Sequence, residues 1–284
     1  MSYSYYPGCS LHSTGLEYGL STQAVFHHLG LELNELEDWN CCGASSAHIL
    51  DPKLALALPA RTLALAQPFG RDLVTPCAAC YNRLKGADHA MRADPGIRAE
   101  LETLVGFKYT GTLAVRPLLA VLYEDVGLQR LAAEVRHPLD GLRVVTYYGC
   151  LLVRPPQIAQ FDDPDDPQVM AKLLHAVGAE VMPWSHATDC CGGSLSLGRS
   201  DVVQHLAGRL AERAFEAGAD AIVTACPLCQ VNLEMRQTAT LKIPTFYFTE
   251  LLGLAFGLPE ASKWWGKHLI DPRAVLAKVE RMAA

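Results

Sequence analysis

The sequence predicts an α/β protein made of two similar domains, each with a parallel sheet flanked by helices, related by a pseudo-twofold axis. Two observations carry this prediction. All ten cysteines fall into one pattern that occurs twice, and short β-rich runs alternate with helical patterns in both halves. A stretch with Pro and Gly at residues 136–141 is typical of a boundary. We therefore expect one domain over residues 1–138 and a second, with a helical tail, over residues 139–284.

Each half is expected to begin with a strand that leads into an isolated cysteine, Cys9 or Cys150. A further strand should lead into each CxxC pair. These strands are predicted at residues 2–6, 73–75, 144–148 and 221–224. Since ligand sites of parallel sheets gather just beyond the carboxyl ends of the strands, we expect the thiols of each half to converge at one edge of its sheet.

Helical patterns separate these strands. Thr14 with Glu17 predicts a capping box that opens a helix, and Gly30 is placed to stop it before the next strand. Asp201 with Gln204 predicts a second capping box, in front of a long amphipathic helix in the other half.

The cysteine pattern consists of an isolated cysteine, a vicinal pair followed by glycine, and a CxxC pair. The separation from the vicinal pair to the CxxC pair is the same in both copies, and additional Pro- and Asp-rich residues at 154–168 form a predicted loop in the second. Gly43 and Gly192 follow the vicinal pairs. We interpret each as a tight turn that lets two adjacent thiolates face one site, with backbone amides near sulfur.

Three kinds of chemistry use cysteines in such numbers. A disulfide framework requires an oxidising compartment, and residues 1–20 contain neither Lys or Arg nor the apolar segment of a secretory signal. Structural zinc is satisfied by four ligands, whereas each half offers five thiols, although zinc in one half stays open as an alternative. Iron–sulfur clusters take Cys thiolates as their normal ligands, and they are favoured because they leave no thiol idle.

Composition excludes other classes of function. The net charge is −6 and no cluster of Lys or Arg offsets it, so nucleic acid is not an expected partner. The apolar stretch at residues 245–258 is interrupted by Glu250 and is shorter than the ~20 residues that cross a bilayer. We therefore expect no membrane span and a cytoplasmic protein, where thiols stay reduced.

The doubled pattern Cys…Cys-Cys-Gly…Cys-x-x-Cys resembles the CCG-domain proteins, and specifically the B subunit of heterodisulfide reductase, over nearly the whole chain. The resemblance implies two noncubane [4Fe–4S] clusters that face one another across a pocket where a disulfide is split. The first would be held by Cys9, Cys41, Cys42, Cys77 and Cys80, and the second by Cys150, Cys190, Cys191, Cys226 and Cys229.

The implied activity is the two-electron cleavage of a disulfide, with the coenzyme M–coenzyme B heterodisulfide as one substrate to consider. The chain has no ferredoxin CxxCxxCxxxCP segment, so its electrons are expected from a partner. The resemblance implies a small ferredoxin-like protein, the C subunit of such a complex, and behind it a flavin-containing protein, the A subunit. The alternative is a non-catalytic electron-transfer and docking subunit of a dehydrogenase acting on succinate or a 2-hydroxy acid. A cavity between the two sites would favour catalysis over relay.

Cleavage of a disulfide also consumes protons. His48 and His186 lie near the vicinal cysteines in sequence and are the candidate proton donors, because imidazole titrates near neutral pH. A surface or partly buried histidine without a catalytic role is the commoner situation. Trp264 and Trp265 are expected to pack in the core, with a docking surface as the alternative.

Overall fold

The fold is described by a computed structural model covering residues 1–44, 46–196, 198–237 and 241–282. It contains two four-stranded sheets, one in each half of the chain, and every strand pairing in both is parallel. The strands are β1 Ser2–Tyr5, β2 Glu32–Glu35, β3 Leu73–Thr75, β4 Val115–Pro117, β5 Arg143–Tyr147, β6 Glu180–Val181, β7 Ala221–Thr224 and β8 Thr245–Tyr247. The orders β2-β1-β3-β4 and β6-β5-β7-β8 are equivalent. The predicted α/β class with two similar parallel sheets is confirmed.

Helices cover the two sheets. In the N-terminal half they are α1 Leu16–His28, α2 Ala47–Leu50, α3 Pro52–Ala66, α4 Ala78–Ala93, α5 Pro95–Val105, α6 Leu118–Ala120, continued by a π-helical turn Val121–Val126, and α7 Leu128–Ala133. In the C-terminal half they are α8 Pro156–Ala159, α9 Val169–Ala176, α10 Ser200–Glu216, α11 Pro227–Met235, α12 Phe248–Ala255 and α13 Arg273–Met282. Short 3₁₀ turns lie at Cys9–His12, Gln67–Phe69, Gly193–Leu195, Ala261–Lys263 and Trp265–Lys267.

Local sequence explains where several helices begin. The Asp51 carboxylate accepts a hydrogen bond from the amide of Lys53 at 2.6 Å, in front of α3. Asp94 caps α5 in the same way, through the amide of Gly96 at 2.7 Å. In both cases the next residue is a proline, whose fixed φ suits the first helical position.

The two predicted capping boxes are wrong. Helix α1 begins after Gly15, and no side chain caps it. Helix α10 begins after Arg199, whose guanidinium binds the Asp201 carboxylate at 2.8 Å instead. Asp201 is held in the ion pair with Arg199, and Glu17 is buried, so neither acid takes part in a capping box.

The halves pack through reciprocal contacts. Helix α1 of the first half lies on α12 of the second, where the Tyr18 and Tyr247 rings stack at 4.1 Å and the Ser21 and Thr249 hydroxyls are 2.7 Å apart. In return α9, the counterpart of α1, packs against α6 and the π-helical turn. Equivalent elements that contact each other in both directions are typical of a twofold arrangement.

The C-terminal tail closes over the second sheet. Trp264 is 1 % exposed and stands edge-on to Trp265, which in turn stands edge-on to Phe246 of β8. The tryptophan pair therefore packs in the core, as the sequence predicted.

Candidate metal centres

The strands deliver the cysteines to the interface between the halves. Cys9 follows β1 and Cys77 follows β3, while Cys150 and Cys226 follow β5 and β7. We call Cys9, Cys41, Cys42, Cys77 and Cys80 the N-terminal set, and Cys150, Cys190, Cys191, Cys226 and Cys229 the C-terminal set. Because parallel strands end at the same edge, each set gathers beyond the carboxyl ends of its sheet.

Sulfur atoms approach one another within both sets. The Sγ atoms of Cys42 and Cys80 are 3.3 Å apart, and those of their counterparts Cys191 and Cys229 are 3.5 Å apart. In the N-terminal set, the Sγ atoms of Cys9 and Cys41 are also close, at 3.8 Å. All ten thiols are free, and these separations exceed the ~2.05 Å of a disulfide bond.

Each CxxC pair opens a helix. Cys77 is the N-cap residue of α4, and Cys226 is that of α11. The unpaired amides and the dipole of a helix N-terminus favour a thiolate. Hydrogen bonds from Cys229 and Cys77 lower the pKa of Cys226 well below its usual value, and the backbone amides of Cys229 and Leu228 add to this. The first cysteine of the C-terminal CxxC pair is thus buried where negative sulfur is stabilised.

Glycines leave room for these sulfurs. Gly8 and Gly149 both have positive φ, 74° and 63°, directly before the isolated cysteines. A Cβ at Gly8 would lie 2.9 Å from Cys80 Sγ, and one at Gly149 would lie 3.0 Å from Cys229 Sγ. Any larger side chain would therefore displace a thiol as well as strain the backbone. The repeated Gly-Cys dipeptide was the feature of the sequence that indicated this close packing of glycine against sulfur.

The vicinal pairs turn as predicted. Gly43 and Gly192 have φ values of 76° and 79°. Their amides point at the first cysteine of each pair, with Gly43 N 3.5 Å from Cys41 Sγ and Gly192 N 3.3 Å from Cys190 Sγ. The turn lets adjacent side chains share one site, which few other residue types would allow.

A tyrosine hydroxyl holds each vicinal turn from behind. Tyr6 donates to the carbonyl oxygen of Asn40 at 2.8 Å, and Tyr147 donates to that of Asp189 at 2.7 Å. Both carbonyls belong to the residue before the vicinal pair, so the two tethers are equivalent. Sequence reasoning missed this role, although the tyrosine repeats before Cys9 and Cys150 were the available signal.

The residue before the vicinal pair also distinguishes the two sets. Asn40 is neutral, and its Oδ1 accepts a hydrogen bond from Arg61 at 3.0 Å. Asp189 carries a charge, and its Oδ2 pairs with Arg209 at 3.1 Å and with His186 Nδ1 at 2.9 Å. His186 is thus hydrogen-bonded to Asp189 beside the C-terminal set, and its role as a proton donor stays a prediction.

The first cysteine of each vicinal pair is poised to ionise. Hydrogen bonds from Cys42 and Cys9, together with the Gly43 amide, lower the pKa of Cys41 to about 2. A hydrogen bond from Cys150, together with the Gly192 amide, lowers the pKa of Cys190 to about 6. Metal ligation requires thiolates, so both sets offer sulfur in the form that binds a metal.

The two sets adjoin across the interface. A hydrogen bond with Cys226, from the other half, is the largest cause that raises the pKa of Cys77 well above its usual value. These residues are the first cysteines of the two CxxC pairs. Equivalent sulfurs that meet in this way lie near the pseudo-twofold axis of the molecule.

A cavity of about 130 Å³, which we call the interface cavity, opens beside the C-terminal set. All five thiols of that set line it, and the N-terminal half supplies the facing wall. The facing residues are Ala44, His48, Ala78, Ala79 and Arg83. A cluster held by the C-terminal set would therefore lie in this space, with the N-terminal half as its facing wall.

Two cationic or titratable side chains face this cavity. His48 Nδ1 and Arg83 Nε are buried and have no hydrogen-bond partner among the described residues. A buried polar atom without a partner carries a cost that a bound ligand would relieve. His48 therefore lines this cavity with a buried nitrogen that has no partner among the described residues, and its role as a proton donor stays a prediction.

The donor set fits a multinuclear cluster. Across residues 1–44, 46–196, 198–237 and 241–282, no three His, Cys, Asp or Glu side chains are gathered as ligands of a single metal ion. The five thiols of the C-terminal set instead line the interface cavity together. Such a thiol-only arrangement suits an iron–sulfur cluster better than one tetrahedral zinc ion with ~2.3 Å bonds.

Comparison with known proteins gives a family and a fold. The profile of a cysteine-rich domain, CCG, matches residues 3–85 and 144–234. These segments run from β1 to the middle of α4 and from β5 through most of α11, and together they hold both cysteine sets. Within the described part of the chain, no helix is both long and apolar enough to cross a membrane.

Two relatives and one solved structure extend this comparison. The 8-methylmenaquinol:fumarate reductase membrane anchor subunit of Wolinella succinogenes is 31% identical, over 95% of this chain and 97% of that protein. A protein of Archaeoglobus profundus, named as similar to the B subunit of heterodisulfide reductase, is 30% identical, over 90% and 91%. A hypothetical protein from Helicobacter pylori shares the fold with a TM-score of 0.74 at 13% identity, over 95% of this chain. The chain spans about half of that structure, 52%.

Proposed function

The chain belongs to the family of cysteine-rich CCG-domain proteins, and from that premise we propose that it is the catalytic iron–sulfur subunit of a heterodisulfide reductase-like complex. Its reaction would be the two-electron cleavage of a small-molecule disulfide. The observation that carries this proposal is the interface cavity: the C-terminal set, which would hold a cluster, lines one side of it, and the other half walls the facing side, where a substrate would lie. The archaeal relative, whose name likens it to the B subunit of that enzyme, supports the same class of protein.

Each cysteine set would hold one [4Fe–4S] cluster of the noncubane type, the N-terminal set the first and the C-terminal set the second. When bound, the clusters would supply the two electrons one at a time. The protein's own contribution is to present five thiolates per site, to stabilise them with helix N-termini and turn amides, and to leave space for sulfur at Gly8 and Gly149. The domain boundary between residues 138 and 139 would fall between these two binding units.

The remaining chemistry belongs to side chains around the cavity. The disulfide bond accepts two electrons and two protons and yields two thiols. The wall of the interface cavity would orient the disulfide beside the C-terminal set, which gives the advantage of an intramolecular step. His48 would protonate a departing thiolate, and Arg83 would keep negative charge in the cavity neutralised. The substrate class includes the coenzyme M–coenzyme B heterodisulfide.

The electrons would enter from partner proteins of the same complex. A ferredoxin-like protein, its C subunit, would dock directly, and a flavin-containing protein, its A subunit, would supply that donor. The second candidate function, an electron-transfer and docking role in a dehydrogenase complex, is favoured by the Wolinella succinogenes relative, whose name describes a fumarate reductase anchor. In that case the interface cavity would bind no substrate.

The deciding experiment is disulfide cleavage by the loaded chain. The protein, purified and reconstituted without oxygen, would be reduced with a low-potential dye and offered hydroxyethyl disulfide while free thiols are counted. Metal analysis of the same sample would separate iron from zinc. We expect iron in both halves and two thiols per disulfide, and Cys226→Ser should lose the iron of the C-terminal half together with thiol release. Clusters that are reduced fully while no thiol appears would contradict catalysis and favour the second candidate.

The same assay can test His48. His48→Gln preserves size and hydrogen bonding but cannot carry a proton, so we expect thiol release to fall by roughly 100-fold with unchanged iron content. His27→Gln, on the opposite end of α1 from the cysteines, is a matched control. An equal rate in His48→Gln and wild type would remove His48 from the mechanism.

A further inference from the structure

The turn at residues 150–154, which we call the Cys150 turn, is held by the other half of the molecule. The amide of Arg154 donates to the carbonyl oxygen of Cys150 at 3.1 Å, which closes the turn. Asn82 of α4, in the N-terminal half, donates its side-chain amide to the carbonyl oxygens of Leu151 at 3.1 Å and Arg154 at 2.8 Å. Because Cys150 and Leu151 both line the interface cavity, Asn82 holds part of its wall.

The contact between Asn82 and the Cys150 turn is shielded from water. Asn82 is 7 % exposed, and Leu152 and Val153 inside the turn are 1 % exposed each. A buried side-chain amide is stabilised only where its hydrogens find acceptors. The two carbonyl oxygens of the turn are those acceptors, so the helix and the turn hold each other in place.

Two further side chains of α4 contact the segment that follows Cys150. The Tyr81 hydroxyl donates to the carbonyl oxygen of Ala159, and Lys85 Nζ donates to Gln160 Oε1 at 3.0 Å. With the two bonds of the neighbouring amide, this segment is attached to α4 by four hydrogen bonds.

Helix α4 is also the helix that the N-terminal CxxC pair opens. Cys80 lies in its first turn, and Asn82 follows two residues later. A candidate ligand of the N-terminal set and the donor to the Cys150 turn therefore stand less than one helical turn apart on one rigid element.

The same contact cannot form in the opposite direction. Val231 of α11 is the equivalent of Asn82, two residues after the second CxxC pair, and its side chain has no hydrogen-bond donor. The turn after Cys9 is held within its own half, where Ser13 Oγ donates to the carbonyl oxygen of Cys9 at 3.2 Å. The two isolated cysteines are thus held by different means.

We propose that Asn82 is a positioning residue for the C-terminal site and that, by holding the Cys150 turn, it places Cys150 as the fifth ligand of that site. The inference rests on the proposed function, in which each set of five thiols holds one cluster. The isolated cysteine of the C-terminal set would then depend on a helix of the other half, whereas Cys9 would not. A change in α4 would therefore affect both sites.

The first experiment needs no cluster. In the reduced, metal-free protein, the rate at which a bulky maleimide modifies each cysteine is followed by mass spectrometry of the peptides. Asn82→Leu has a similar volume but no donor, so the Cys150 turn should open more often and Cys150 should react roughly tenfold faster. Cys9 should keep its wild-type rate. Asn34→Leu, which removes an amide donor on β2, is the matched control.

The second experiment uses the reconstituted protein. Loss of a hydrogen bond that orients a metal ligand typically costs about 10- to 100-fold in metal affinity. Asn82→Leu should therefore release the iron of the C-terminal site to a chelator more readily and change the oxidised paramagnetic signal of that site, while the N-terminal signal stays. Cys42→Ser and Cys191→Ser identify the two signals. Asn82→Gln keeps an amide donor and should restore both properties in part.

The outcomes separate this inference from the proposed function. Faster alkylation of Cys150 without that of Cys9, together with a changed C-terminal signal, supports the positioning role. Equal rates in Asn82→Leu and wild type, a faster reaction of both cysteines, or an unchanged C-terminal signal would overturn it while iron in the wild type leaves the proposed function standing. Absence of iron from the reconstituted wild type would contradict the proposed function itself.

Discussion

The two halves share their sheet order, their cysteine spacing and their tyrosine tethers. They differ at the last strand of each sheet, where β4 carries a charged side chain and β8 an apolar one. Arg116 on β4 pairs with Asp125 at 2.7 Å, Glu124 at 2.7 Å and Asp72 at 3.2 Å, and these acids are within reach of solvent. At the equivalent position of β8 stands Phe246, covered by the tail.

At the corresponding edge of the C-terminal half, one charged network is buried instead. His268 lies between Glu234 at 2.9 Å and Glu250 at 3.0 Å, and all three side chains are fully buried. Glu234 also accepts hydrogen bonds from the amides of Leu269 and Ile270, so this network ties the tail to α11 and α12. The same backbone therefore accommodates exposed ion pairs at one sheet edge and a buried charged network at the other, while the surroundings of the two cysteine sets remain alike.

The largest difference between the two halves, in iron content and paramagnetic signal, should appear when a vicinal cysteine of one half is replaced. Cys191→Ser is expected to remove about half of the bound iron and to change the oxidised paramagnetic signal of the C-terminal site alone, because each site has its own ligands. Cys42→Ser should do the same to the N-terminal site. Iron analysis and electron paramagnetic resonance of both variants check this.

A full Cys→Ser series sharpens that result. An ordinary cubane uses four cysteines, and each set supplies five, so the noncubane proposal requires all ten thiols. One dispensable cysteine in each half, with iron, spectrum and disulfide cleavage intact, would return both sites to conventional clusters.

Removing a charge should cost the C-terminal half more than the N-terminal half. His268→Ala leaves two buried carboxylates without their cation, which typically costs about 3–5 kcal/mol. Arg116→Ala disrupts pairs that solvent screens, worth about 1 kcal/mol or less each. Denaturant unfolding of the two variants measures the contrast, and equal losses would contradict the comparison of edges drawn above.

The stability that His268 contributes is expected to depend on pH. Burial opposes the charge of His268, but Glu250 and Glu234 raise its pKa from 6.5 to about 10. Its stabilisation is therefore complete below pH 6.5 and is lost as pH rises through about 10. Wild type should lose this stability between those values, and His268→Ala should not.

The tyrosine tethers should matter equally in both halves. Tyr6→Phe and Tyr147→Phe each remove one hydrogen bond to the residue before a vicinal pair, at an expected cost of about 1 kcal/mol. Each should also raise the rate at which a bulky alkylating reagent modifies the vicinal cysteines of its own half. Modification that spreads to both halves would show that the tethers act on the whole interface.

The smallest effect concerns the residue that precedes each vicinal pair. The charge of Asp189 raises the pKa of Cys190, against the larger lowering by Cys150 and the Gly192 amide. Asp189→Asn should therefore lower the pKa of Cys190 further, and Asn40→Asp should raise that of Cys41. Alkylation rates of the metal-free protein as a function of pH test the pair, and shifts of the same sign would contradict the electrostatic explanation.

What could be predicted from the sequence was whatever is local and repeated. The isolated cysteines had to follow strands, and β3 and β7 have the predicted bounds because short β-rich runs ended at turn residues. The glycine turns were predictable because glycine adopts that left-handed backbone without the steric cost of a Cβ. The positions of the proposed ligands themselves remain a prediction of role, although the structure brings them together.

What escaped prediction depends on contacts between distant segments. Glu17 was assigned to a capping box from its spacing to Thr14, but the C-terminal tail buries it. Nothing near Glu234 or Glu250 in sequence indicates that His268 will lie between them. The tyrosine tethers span more than thirty residues, a separation at which spacing rules carry no information. Long-range burial decided each of these cases.

The reciprocal packing of the halves has a consequence for the origin of the protein. Sulfur in the interface cavity comes from one half and the facing wall comes from the other, so a single half would keep its thiols but own no cavity. Two identical copies associated through the same contacts would have formed a cavity from the start. In a symmetric pair, every substitution would occur in both copies at once. In a single fused chain each half can change alone, and the equivalent residues Asn40 and Asp189 differ between the halves.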